Sequence, residues 1–142
     1  MIRPEVHLFI PCLVEDFFPD VGVATAEVLA RAGARPVHVS GQTCCGQPLF
    51  KLGHTAKVLP LAKRFIELFE QAPAVVCPSG SCVHMVREYP TLFEDDPVWF
   101  ERARRVAATH LAVPLAILCE RNRPVKPELF GKNRVLPSPG PA

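Results

Sequence analysis

Six cysteines in 142 residues are the side chains most able to do chemistry. Five of them recur at intervals: Cys12, then the adjacent pair Cys44 and Cys45, then Cys77 and Cys82. Adjacent cysteines make poor disulfide partners, because a bond between chain neighbours closes a strained ring. Three readings are left: thiol chemistry, metal binding, or inert burial, since cysteine is among the most buried residue types. About four thiolates suit an iron–sulfur cluster, and the same set suits zinc in a tetrahedron. Local context favours thiolates. Cys82 follows Ser79-Gly80-Ser81, which reads as a strand-to-helix turn where free N–H groups and the helix dipole stabilise a negative sulfur. Gly46, directly after the pair, opens backbone conformations closed to other residues and allows close approach to a bulky cofactor.

The remaining candidates read more blandly. Cys77 is expected to be the last residue of a buried strand, and Cys119 a residue outside the site with no partner at ligand spacing. The five histidines are scattered without ligand spacing, so none is assigned.

The elements that must position the thiols alternate in type. "VHLFIPCL" (6–13) is a short apolar run expected to form a buried strand, closed by a turn at Phe18, Pro19 and Asp20. Val21, Ala24, Val28, Leu29 and Ala32 recur at helical spacing up to Gly33, a C-terminal stop. "RPVHVS" (35–40) reads as a second strand. After the paired cysteines, Val58, Leu61, Phe65, Leu68 and Phe69 form an amphipathic stripe, with Pro60 expected near the first turn or at a kink. "PAVVC" (73–77) reads as a third strand and "SGSCVHMVREY" (79–89) opens a third helix. The series predicts an α/β fold, a parallel sheet built from βαβ repeats with helices on its faces. Sites in such sheets form beyond the carboxyl ends of the strands. Five of the six cysteines, Cys12, Cys44, Cys45, Cys77 and Cys82, fall on that rim.

Composition narrows the function. The chain is 49% hydrophobic and 21% charged, enough apolar content for one domain to bury a core without staples. Its net charge of +2 comes from interspersed acids and bases, with no basic stripe to neutralise phosphates, so no nucleic-acid partner is expected. The N-terminal apolar run is interrupted by Pro11 and followed by acids, which predicts neither a signal peptide nor a membrane span and places the chain in the cytoplasm. A reducing compartment in turn disfavours structural disulfides. No G-x-G-x-x-G follows a strand, so a dinucleotide site is not expected.

"PCLVEDFFPDVGVATAEVLARAG", "QTCCGQPLF", "LGH" and "PSGSC" together resemble the cysteine-rich CCG domain of iron–sulfur oxidoreductases. The likeness is greatest to the A type of lactate-utilisation protein, which is related to the B-type component of heterodisulfide reductase and to the iron–sulfur subunit of glycolate oxidase. It covers about residues 5–107. The resemblance implies that Cys12, Cys44, Cys45 and Cys82 hold an iron–sulfur cluster, of the [4Fe–4S] kind, with zinc as the alternative metal. It further implies an electron-transfer subunit that acts with other subunits of a complex oxidising L-lactate to pyruvate. A structural zinc scaffold and a degenerate metal-free fragment are the alternatives. Ser79 stands where many relatives have the first cysteine of a C-x-x-C. Residues 1–107 are expected to be the cysteine-rich domain, and 108–142 a divergent helix with a proline-rich tail, as truncation or a frame shift would produce.

Overall fold

A computed structural model describes residues 2–112, the last three as backbone alone. Four parallel strands form one sheet: β1 (Glu5–Leu8), β2 (Arg35–His38), β3 (Val75–Cys77) and β4 (His110–Ala112), in the order β2-β1-β3-β4. The helices are α1 (Cys12–Phe17), α2 (Pro19–Arg31), α3 (Gln47–Lys51), α4 (Thr55–Phe69), α5 (Gly80–Glu88) and α6 (Pro97–Ala108), with a 3-10 turn at Tyr89–Phe93. The α/β fold and its parallel sheet are those the sequence predicts. The chain runs outward from β1 to β2, then returns to place β3 on the other side of β1. Parallel sheets with such a reversal open a crevice at the carboxyl ends of the two strands flanking it, here β1 and β3.

Alternation along the first strand sets the two layers. Leu8 and Ile10 pack with Val14 of α1 and Ala26 of α2 on one face. Phe9 points the opposite way into the larger core, with Val58, Phe65, Ile66 and Phe69 of α4 and Val83 and Val86 of α5. This is the two-residue period of a strand covered on both faces. Phe9, Phe65, Phe69 and Tyr89 form an aromatic chain, with centroids 4.8 Å apart for Phe9–Phe65, 4.6 Å for Phe65–Phe69 and 5.6 Å for Phe65–Tyr89. Each such contact stabilises by about 0.5–1.5 kcal/mol beyond its burial.

Local structure departs from the sequence reading in several places. The first strand ends at Leu8 rather than reaching residue 13, because Pro11 cannot donate to the ladder and instead caps α1. The expected turn at Phe18 is a junction between two helices, with Pro19 in the first turn of α2. Gly33 does stop α2, at φ 91°. The buried residues of α2 are Gly22, Val23, Thr25 and Ala26, and Val21 and Leu29 of the expected stripe pack, partly buried, against the same core. In α4, Val58, Phe65 and Phe69 are buried as expected, joined by Ala62 and Ile66, while Pro60 lies in the helix interior. The loop after Gly46 holds α3, which the sequence reading omits. Ala108 ends α6 and His110–Ala112 form β4, so the helix expected from residue 108 does not begin there. The rest of that segment, with Cys119, lies outside the described residues. Among the described residues, no helix is long and apolar enough to cross a membrane.

Candidate metal centre

Each thiol is delivered by the end of a strand. Cys12 opens α1, four residues beyond β1; Cys44 and Cys45 sit in the loop after β2; Cys77 ends β3, and Cys82 lies in the first turn of α5. Gln42 ties the first two segments together. Its Oε1 accepts from the Ile10 N–H at 2.9 Å and its Nε2 donates to the Leu8 carbonyl at 2.7 Å. A backbone mimic of this kind holds the paired-cysteine loop against the end of β1.

The loop is fixed from below as well. The Tyr89 hydroxyl, buried beneath it, donates to the Cys45 carbonyl at 2.8 Å. Burial, and then the nearby thiolate charge, pushes the Tyr89 phenol above its usual range, so it stays a donor. Gly46 turns the chain at φ 87°, where a Cβ would stand 2.8 Å from Val58 Cγ1. Its N–H donates to Cys44 Sγ at 3.4 Å, a weak bond of the kind that sulfur accepts.

Two groups of sulfur result. Cys45, Cys77 and Cys82 form the inner group, all buried in the larger core. The neighbouring Cys45 and Cys77, and then Ser79 and Ser81, favour a negative sulfur at Cys82 and lower its thiol from 9.0 to about 3. Cys45 and Cys77 are pushed far up, first by Cys82 and then by burial. Ser79 caps α5, its Oγ accepting from the Cys82 N–H at 3.5 Å. Cys12 and Cys44 form the outer group, less buried than the inner one. Cys12 is exposed as a residue, yet its thiol is raised, first by loss of water around the sulfur and then by Cys44.

The structure therefore brings Cys12, Cys44, Cys45 and Cys82 onto one rim of the sheet. Cys77, expected on the same rim as the last residue of a buried strand, ends β3 there and is fully buried. The sequence reading gives no role to Tyr89, or to Gln42 at the head of QTCCGQPLF. Of the histidines, His7 pairs with Glu5 at 2.7 Å and His84 faces Glu88 at 3.9 Å, away from the thiols in both cases. Among the described residues, no three or more His, Cys, Asp or Glu side chains stand in a ready-made metal-ion arrangement. The donor set nonetheless suits a metal or cluster. Soft sulfurs stand beyond the carboxyl ends of three strands, the Cys82 thiol is lowered towards the thiolate that metals bind, and the raised thiols carry protons that metal binding would release.

The profile of the cysteine-rich domain family known as CCG matches residues 6–87. Lactate utilization protein A of an Exiguobacterium species is 50% identical over 107 residues, covering 74% of this chain and 44% of the relative. The proteins of the same name from Bacillus pumilus and Bacillus subtilis are 48% and 47% identical over 103 residues, covering 72% of this chain and 43% of each relative. The chain thus spans less than half the length of the curated relatives it matches. No solved structure matches.

Proposed function

The chain belongs to the cysteine-rich CCG domain family, and from that premise we propose that it is an electron-transfer domain whose thiols hold an iron–sulfur cluster. The process it serves is lactate utilisation, the oxidation of L-lactate or a similar 2-hydroxy acid to pyruvate with partner subunits. Residues 1–107 form the cysteine-rich unit in this reading, with Cys12, Cys44, Cys45 and Cys82 as ligands. The observation that carries it is the position of these cysteines beyond the carboxyl ends of β1, β2 and β3, around the crevice between β1 and β3, with Cys82 in the first turn of α5, where its thiol is lowered. The lactate role rests on the names of the relatives.

A bound cluster supplies one-electron transfer. The protein's own residues do the holding and shielding. Cys82 and Cys45 are the buried anchors, set by the Ser79 cap and the Tyr89 hydrogen bond. Cys12 and Cys44 close the solvent side. Leu13, Phe17 and Phe18, exposed beside Cys12 at 59%, 71% and 56%, offer an apolar surface on which a partner protein would cover the rim. Removal of hydrogen from the 2-hydroxy acid is assigned to partners in this reading.

The test is anaerobic reconstitution of the chain with iron and sulfide, followed by reduction with dithionite and by assay with lactate and a dye. The reconstituted protein is expected to take up electrons from dithionite, while lactate-dependent dye reduction requires added subunits. Robust lactate turnover by the chain alone would overturn the partner dependence. A colourless protein carrying zinc would replace electron transfer with a structural role.

A further inference from the structure

Two exposed stretches carry apolar side chains that the fold does not use, and they differ in charge. The first is α1 with the residues that follow it. Leu13, Phe17 and Phe18 are exposed there, and residues 12–20 hold three acids, Glu15, Asp16 and Asp20, with no Lys, Arg or His. The second joins α3 to α4. All seven residues from 51 to 57 are exposed, Leu52 at 72%, and the run holds Lys51 and Lys57 with no acid. Among the described residues, no ion pair engages Asp16, Asp20, Lys51 or Lys57. Both stretches lie at the carboxyl-end rim, on opposite faces of the sheet. Helix α1 begins four residues past β1 and packs through Val14 on the layer of Leu8 and Ile10. The 51–57 run leads into α4, whose Val58 packs with Phe9 on the other face. Within one chain, the end of the sheet separates them.

We infer that this rim is a self-association surface, on which a second copy of the chain docks with α1 of each copy against the 51–57 run of the other. A two-fold axis that lies in the plane of the sheet and crosses the strands turns one rim onto the other and exchanges the two faces. Acidic α1 then meets the basic run twice, and Leu13, Phe17 and Phe18 meet Leu52 twice. Burial of these apolar side chains supplies the free energy. The opposite charges set the orientation, because the other pairing, α1 on α1, would press the acids of one copy against those of its partner. Charge complementarity also selects the occupant. A partner for α1 must be apolar and basic, and the chain presents such a surface at the same rim. In the pair, Cys12 at the start of α1 is covered, whereas in a single chain it is exposed. The contact follows from the fold and does not depend on the proposed cluster.

The experiment is sedimentation velocity of the metal-free full chain, from micromolar to submillimolar concentration, with a thiol reductant to exclude disulfide-linked pairs. The parent is expected to pass from monomer to dimer as concentration rises. F17S should weaken the dimer about tenfold or more, since the lost anchor counts twice in a two-fold contact. D16K/D20K makes both surfaces basic and K51E/K57E makes both acidic, so each variant alone should sediment as a monomer, while an equimolar mixture of the two should form a heterodimer. All the substituted positions are exposed, and a thermal unfolding scan confirms that each variant is folded. A parent that stays monomeric throughout overturns the inference and leaves the surface to a different protein. Dimers of parent strength in both charge-reversed variants, or a mixture that stays monomeric, overturn it as well. Iron uptake judges the cluster reading separately, because none of the substituted residues is a cysteine.

Discussion

The inner and outer thiols differ in what holds them. Cys45, Cys77 and Cys82 are 2%, 0% and 9% exposed and share the core with Phe65 and Val86. Cys12 is exposed and Cys44 half-buried, on a helix of six residues and a loop. The inner group is therefore part of the fold as well as part of the site. The outer group is attached to the fold mainly by Gln42, and by the N–H of Gly46. The difference teaches that one side of the centre is set during folding, and the other is left open to solvent and to whatever covers it.

The largest expected effect follows from this division. C82S alters a buried sulfur packed in the core with Cys45 and Cys77, so it should lose most bound metal and lower the stability of the metal-free protein as well. C12S should lose metal with the unfolding midpoint of the metal-free protein nearly unchanged, within about 0.5 kcal/mol, as for surface substitutions generally. Metal analysis paired with urea unfolding checks both. Equal destabilisation by the two would erase the distinction between inner and outer groups.

A second expectation probes the support beneath the inner group. Y89F leaves the buried Cys45 carbonyl without its donor and should cost about 1–2 kcal/mol. For a domain of this size that is a fall of roughly 4–8 °C in thermal midpoint per kcal/mol. A Y89F protein with an unchanged midpoint would show that the loop is held by packing alone.

The smallest effect expected is one of pH on the metal-free protein. Cys82 in the folded chain has lost its proton far below 9.0, whereas the unfolded chain keeps it up to about that value. The unfolded state therefore binds more protons in the intervening range, and stability rises with pH. The window from pH 7 to 8 avoids the range in which His38, lowered by burial, contributes a slope of the same sign. As pH nears 9.0 the slope fades and then reverses, because the unfolded chain begins to release the protons that Cys12, Cys45 and Cys77, all raised, keep in the folded state. Urea midpoints at pH 7, 7.5 and 8 should climb for the parent chain and flatten in C82S. A parallel climb in both would assign the slope to other groups.

The strand ends and the thiols they carry were legible in the sequence because each signal was local. β-branched runs marked β2 and β3, and the CCG turn announced itself through adjacent cysteines and a glycine. Helix α1 was not legible, since Pro11 looks alike as a strand breaker and as a cap. The packed face of α2 was legible in part: Val21 and Leu29 pack on the core as expected, while Val23 and Ala26 bury more fully, and nothing local separates Ala26 from the equally apolar Ala24. Gln42 and Tyr89 act through contacts with residues distant in the chain. No spacing rule encodes a glutamine that imitates a strand partner.

The central claim is that these thiols hold an iron–sulfur cluster with Cys82 as an indispensable anchor. It is tested most directly by anaerobic reconstitution of the parent chain and of C82S, followed by iron and sulfide analysis and visible absorption. The expected result is iron and sulfide in similar amounts with broad visible absorption in the parent, and neither in C82S. A parent chain that stays colourless, or a C82S variant that loads as fully as the parent, would contradict it.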